Sequence, residues 1–335
     1  MIEAQLITKN TPLRNVDMTK TIFIILINFI IGTVLLKYGV SLMSSGLEKA
    51  NTDRMKKCLQ TFAGKTSTAF ITGTLVTALV QSSTAIIVIT VGLVNSGLMK
   101  LPQAVGIILG ANLGTTLTAQ LMSFKITNSA YFFVAIGLLL KFFAKRNSVK
   151  CLGTAVAGLG LMFTGLGILS FGAPYIKESQ AAHYIFMKYG NNPLIGLLIG
   201  LITTMLVQSS SATVGLTIVL FNAGLISFDA ALGLTFGDNI GTSITTQIAS
   251  LGTNLSAKRT AWAHTLYNIV GVLLAMLFFS PFSKSVQLIT HIAGQGDNRL
   301  IANAHTIFNL VSACLFLPLT SYYVKFIEWV VNETD

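Results

Sequence analysis

Long apolar runs recur along the chain, over residues 21–43, 130–143, 152–171 and 260–279. About 20 apolar residues in a helix cross the hydrocarbon core of a bilayer, and few other folds can absorb several such runs. Composition agrees: 53% of the 335 residues are hydrophobic and only 10% charged, where a soluble domain carries about 25%. The expected fold is an all-α polytopic membrane protein. Residues 1–20 are polar and show no cleavage-site pattern, so no removed signal peptide is expected. The formal net charge is +11, but the basic residues fall in short interhelical loops rather than one stripe. They suit anionic lipid and the cytoplasmic bias of basic loops, not nucleic acid. Cys58, Cys151 and Cys314 have no paired spacing, which points to neither a disulfide framework nor a transition-metal site.

Two polar stretches interrupt the apolar sequence: "TALVQSSTA" at 77–85 and "TMLVQSSSA" at 204–212. Sliding the chain on itself by 127 residues aligns 73–123 with 200–250 without a gap, with 22 identities in 51 positions. Apolar bias makes Leu and Val coincide, but it does not bring Gln81/Gln208, Asn95/Asn222, Asn112/Asn239, Thr115/Thr242 and Gln120/Gln247 into register. Upstream the match continues with a one-residue slip through Gly32/Gly158, Gly39/Gly165 and Ser44/Ser170. The chain is therefore read as a duplication.

The organisation that follows is a polar N-terminal segment (1–20), repeat 1 (21–144), a basic linker (145–150), repeat 2 (151–280), and a C-terminal loop with a final transmembrane helix (281–335). Each repeat opens with a long helix, about 21–45 in the first copy, which a basic loop follows. A broken segment comes next. The final helix, about 300–327, has no clear partner in the first half. If each break is a re-entrant hairpin, each repeat crosses the membrane three times and the second copy is inverted relative to the first. Inverted repeats with interrupted helices are the architecture of secondary transporters, which hold substrate where the breaks meet.

The residue types at the breaks fit that role. Ser82, Ser83 and Thr84 are helix-capping types, and a half-helix starting there presents unpaired N–H groups and its positive dipole end. Ser209, Ser210 and Ser211 repeat the arrangement. Two such ends facing one another make a donor-rich anion site, while Gln81 and Gln208 carbonyls suit a small hard cation. Lone membrane hydroxyls usually bond their own helix; two copies at matched positions shift the reading to a site. "GANLGTTLTAQ" (110–120) and "GDNIGTSITTQ" (237–247) add neutral oxygens from Asn112, Thr115, Asn239 and Thr242, against the plainer reading of helix–helix contact. Asp238, whose counterpart is Ala111, is an intramembrane carboxylate and so a candidate for sodium or proton coupling. "AHTLYN" (263–268) and "AHTIFN" (304–309) form a smaller repeat. Their His264 and His305 are expected to brace helices rather than bind a metal.

The duplicated "VQSSTA"/"VQSSSA", the following "GANLGTT"/"GDNIGTS" and the "AHTLYN" segment resemble the bacterial form of the type II sodium/phosphate cotransporter family, over roughly residues 21–325. The resemblance implies a sodium-coupled symporter of inorganic phosphate working by alternating access in the bacterial inner membrane, with sodium as coupling ion and no cofactor. It implies phosphate at Gln81, Ser82, Ser83, Thr84, Gln208, Ser209, Ser210 and Ser211. Sodium is expected at Gln81, Asn112, Thr115, Gln208, Asp238, Asn239 and Thr242. Thr84 stands where the family motif has Ser. No arginine clamp is visible near either break, so sodium is expected to offset much of the anion's charge.

The alternatives in the same class are a sodium-linked transporter of another small anion and a phosphate exporter. In other classes stand an anion channel and a membrane enzyme, and the latter needs an acid–base pair beside a nucleophile. Orientation divides the arguments. Loops 46–65, 141–150 and 252–260 carry eleven basic residues against about seven opposite, which places the 145–150 linker in the cytoplasm. The family resemblance implies the reverse, with the N-terminus cytoplasmic.

Overall fold

The computed structural model describes residues 18–124, 126, 129–179, 184, 186 and 188–332. Most of the expected N-terminal segment, residues 1–17, lies outside the described residues. Thirteen α-helices are described: α1 Met18–Phe62, α2 Thr66–Val80, α3 Ser83–Asn95, α4 Leu101–Met122, α5 Ala130–Phe143, α6 Asn147–Glu178, α7 Pro193–Val207, α8 Ser210–Asn222, α9 Phe228–Ala249, α10 Leu255–Leu277, α11 Phe279–Ile292, α12 Leu300–Phe316 and α13 Thr320–Val330. Five stretches are long and apolar enough to cross a bilayer: Ile22–Phe62, Leu101–Met122, Asn147–Lys177, Leu255–Leu277 and Asp297–Phe316. The chain is an all-α polytopic membrane protein.

Three boundaries differ from expectation. The first helix does not end near residue 45 but runs 45 residues to Phe62 through the expected basic loop. Met55 and Leu59 are buried there, so an apolar stripe continues beneath the charges and keeps the helix packed. The expected loop after 280 is largely helix α11, and the final helix is two helices parted at Leu317–Leu319, just where Pro318 removes a backbone donor.

Helix starts follow local chemistry. Asn192 caps α7 through the N–H groups of Leu194 and Ile195, with Pro193 at the first helical position. Ser227 and Asn254 cap α9 and α10 in the same way.

Packing repeats at matched positions. In the first half α4 lies against α2, with Gly110 facing the Phe70 carbonyl; in the second, α9 lies against α7, with Gly237 facing the Leu197 carbonyl. A Cβ at either glycine would overlap that carbonyl oxygen, so only glycine admits so close an approach. Outer faces match as well. Ile71, Leu75 and Leu79 of α2 and Leu198, Ile202 and Leu206 of α7 are exposed apolar stripes, fit to meet lipid.

Between the halves, α1 and α6 pack antiparallel: Gly32 meets Gly165, Gly39 meets Gly158, and Gly46 meets Cys151 and Ala155. Exchanging each residue for its repeat counterpart turns the Gly39–Gly158 contact into Gly165–Gly32. The two halves thus face one another across a pseudo-twofold relation in this helix pair. Two faces of the bundle follow. The linker face holds residues 144–146, the start of α2 and the ends of α3 and α9, where the Asn254 amides bond Asn95 at 2.8 and 2.9 Å. The far face holds the ends of α4 and α10, where Asn298 reaches the Ser123 carbonyl at 3.3 Å.

Candidate functional site

The two polar breaks have one geometry. Gln81 (φ 59°, ψ 31°) and Gln208 (φ 54°, ψ 38°) end their helices in the left-handed conformation. Among the described residues they alone do so without being glycine. Ser82 (φ −147°, ψ 96°) and Ser209 (φ −154°, ψ 100°) then return the chain to an extended conformation and cap the next helix. Each serine Oγ accepts from the N–H three residues on, Ala85 at 3.2 Å and Ala212 at 3.3 Å. Their hydroxyl hydrogens and the first N–H groups of α3 and α8 are left to donate elsewhere.

Each break is a hairpin tip. Helices α2, α3, α7 and α8 have 15, 13, 15 and 13 residues, too short to span. Five residues link α3 to α4, whose own start lies by that of α2, with Gln103 bonded to the Gly64 carbonyl. The chain therefore returns to the face it entered from.

Both tips line one cavity of about 270 Å³. Its walls carry all eight residues expected at the breaks: Gln81, Ser82, Ser83, Thr84, Gln208, Ser209, Ser210 and Ser211, with Thr115. Thr242, the counterpart of Thr115, lines a smaller adjoining void of about 10 Å³ with Thr84, Thr204, Gln208, Ser209, Ser210 and Thr245. A void that size holds one water-sized particle, and seven of its lining residues offer oxygen atoms.

Other sequence candidates lie elsewhere. Asn112 is buried and hydrogen-bonded to Asn268 (2.8 Å) and His264 (3.3 Å), and His264 also meets Thr246 (2.9 Å). Asn239 donates to the Thr235 carbonyl and accepts from Asn309 at 3.4 Å. These asparagines and His264 brace α4, α9, α10 and α12, and none lines the two voids. The bracing is itself paired: Gln247 bonds Thr265, and Gln120 bonds Thr306. The final helix, without a counterpart in the first half, is thus matched to α10. One bond is missing from the match. His305 Nδ1 has no hydrogen-bond partner among the described residues, because the counterpart of Thr246 is Ala119. Asp238 is buried, lines neither void, and neither carboxylate oxygen has a hydrogen-bond partner among the described residues.

The two breaks are not in the same state. Gln81 is buried, its Oε1 accepting from Thr118 at 2.8 Å and its backbone carbonyl from Ser44 Oγ at 2.7 Å. Gln208 is exposed, and Ser170, the counterpart of Ser44, bonds the Leu166 carbonyl of its own helix.

The sequence reading missed the cavity's remaining wall. Helix α1 contributes Lys37, Val40, Ser41, Ser44, Ser45 and Glu48. The signal was present, since Lys37 is the one charged residue between Lys20 and Glu48. This wall climbs α1 toward the linker face, and α6 contributes nothing to the cavity.

Residues 35–170 and 178–296 match the family described as Na+/Pi-cotransporter. YqeW of Bacillus subtilis, whose name assigns no function, is 31% identical over 309 residues, 92% of this chain and 99% of that one. YjbB of Escherichia coli K12, named as a candidate inorganic phosphate export protein, is 28% identical over 308 residues; the match covers 92% of this chain but 56% of YjbB. Sodium-dependent phosphate transport protein 2A of Mus musculus is 31% identical over 147 residues, 42% of this chain and 22% of that one. No solved structure matches.

Proposed function

Because the chain belongs to the Na+/Pi-cotransporter family, we propose that it is a sodium-coupled transporter of inorganic phosphate working by alternating access through two inverted repeats. The observation that carries this is the meeting of both hairpin tips in one cavity. Phosphate lies between the tips, taking donors from Ser82, Ser83, Thr84, Ser209, Ser210 and Ser211 and from the two half-helix starts. Sodium takes the oxygen-lined void beside it, where Gln208, Thr84, Thr204, Thr242 and Thr245 stand. Thr115 and Gln81 supply oxygens at the matched place in the first half. Asn112 and Asn239 hold the helices that carry these ligands. The conformer described is open on the linker face, since the cavity wall climbs α1 from Lys37 to Glu48. The bacterial cytoplasmic membrane is the proposed location.

Radiolabelled phosphate flux into proteoliposomes tests the reading. A sodium gradient drives accumulation above equilibrium in a transporter of this kind. Equilibration that ignores sodium would contradict coupling, and flux with no uphill phase under any gradient would indicate a channel. The second reading, export of phosphate, is favoured by the name of YjbB. It uses the same site, and the preferred direction in right-side-out vesicles separates the two.

A further inference from the structure

Sodium was expected to offset much of the anion's charge because no arginine clamp was visible near either break. The cavity supplies a cationic side chain. Lys37 lines it together with the two tips, on a helical stripe with Ser41, Ser44 and Glu48. The stretch from Lys20 to Glu48 measures about 42 Å as a helix, a bilayer with its headgroups. Lys37 stands inside it, about 16 Å from the Glu48 end, too deep for its stem to carry the ammonium to the interface. Leu36 beside it is fully buried and Gly39 lies on Gly158, which fixes this turn of α1 against the bundle, while Lys37 itself is exposed. The only ion pair among the described residues is His291–Asp297, so Lys37 has no acidic partner there. A charge held that deep without a partner has one polar outlet, the cavity between the tips. Its counterpart on α6 is Phe163, buried in the core, so the second repeat offers no such cation.

We infer that Lys37 is a phosphate-binding residue outside the duplicated motif, supplying a fixed positive charge that one repeat alone contributes. The inference rests on the proposal that phosphate lies between the tips. Hydroxyls and N–H groups from both halves hold the anion's oxygens, and the Lys37 ammonium neutralises part of its charge without sodium. The site is therefore chemically one-sided within a repeated frame. Phosphate is held against α1, and Glu48 stands farther out on the same stripe at the linker-face mouth.

The test is equilibrium binding of radiolabelled phosphate to the purified full chain in detergent at saturating sodium. Wild type, Lys37→Met, Lys37→Arg and Lys57→Met are compared, the last changing an exposed lysine of α1 away from the cavity. Loss of a charged hydrogen-bond donor predicts affinity weaker by about tenfold or more in Lys37→Met. Lys37→Arg recovers most of it and Lys57→Met binds like wild type, while the thermal midpoint without phosphate stays at the wild-type value in all. Wild-type affinity in Lys37→Met beside a wild type that binds phosphate would overturn the role of Lys37 alone. A Lys37→Arg as weak as Lys37→Met, with both lowered in thermal midpoint, would assign Lys37 to packing instead. Absence of binding in the wild type would overturn the phosphate site itself, and this inference with it.

Discussion

Ser44 donates to the backbone carbonyl of Gln81 at 2.7 Å, while its repeat counterpart Ser170 bonds the Leu166 carbonyl within its own helix rather than Gln208. One hairpin tip is tied to the long helix of its half and the other is not. Under the proposed alternating access, this tie belongs to the linker-open conformer. Ser44→Ala is expected to loosen the tie and shift the chain away from the linker-open conformer. Ser170→Ala, which breaks only an intrahelical bond, is expected to leave it in place. Thiol labelling of a cysteine at position 41 in a cysteine-free background reads the difference as slower labelling in Ser44→Ala alone.

The left-handed glutamines give a second prediction. A non-glycine residue held there costs about 1–2 kcal/mol. Gln208 is exposed at its break, so Gln208→Gly relieves strain while losing few contacts. Thermal stability without ligands is expected to rise by up to about 1 kcal/mol, while sodium-dependent phosphate binding falls. A variant both less stable and fully active would contradict the reading of Gln208 as a strained ligand.

Asp238 yields a third. A buried carboxylate with no partner on either oxygen among the described residues is costly unless a cation or proton settles it. Asp238→Asn removes a charge that only the second half carries, its counterpart being Ala111. It is expected to spare phosphate affinity, since Asp238 does not line the cavity between the tips, and to change the sodium dependence of transport through a cation or proton held at Asp238 itself. An unchanged sodium activation curve in a more stable protein would make the residue structural.

Topology gives a fourth. Cys58 near the end of α1 and Cys151 near the start of α6 lie on the same face of the bundle, and neither is fully buried. A membrane-impermeant thiol reagent on intact cells is expected to reach both or neither. Labelling under the family's orientation makes both external, and labelling only after permeabilisation reverses that orientation. One on each side would contradict three crossings per half.

Much of this was legible in the sequence because it was written twice. Matched Gln, Asn and Gly positions disclosed the duplication, and the hydroxyls after Gln81 and Gln208 disclosed the tips that share a cavity. What escaped was what only one half carries. Lys37 belongs to a helix read simply as apolar, and its counterpart Phe163 gave no echo to flag it. Asn112 and Asn239 were credited as ligands because polarity inside an apolar helix marks either a site or a brace. Sequence spacing does not tell which face of the helix they occupy, and their partners Asn268, His264 and Asn309 lie far along the chain. The extension of α1 to Phe62 was hidden because charges at its surface masked the buried stripe through Met55 and Leu59.

The central claim is that the two breaks build one phosphate site. Phosphate binding at saturating sodium to the wild type, Ser82→Ala, Ser209→Ala and the double variant tests it most directly. The account predicts one phosphate per chain. It also predicts a loss of roughly ten- to hundredfold in affinity from either single change, as expected where about 1.5–3 kcal/mol of charged hydrogen bonding is removed. Two phosphates per chain, with each substitution abolishing one and sparing the other, would contradict it.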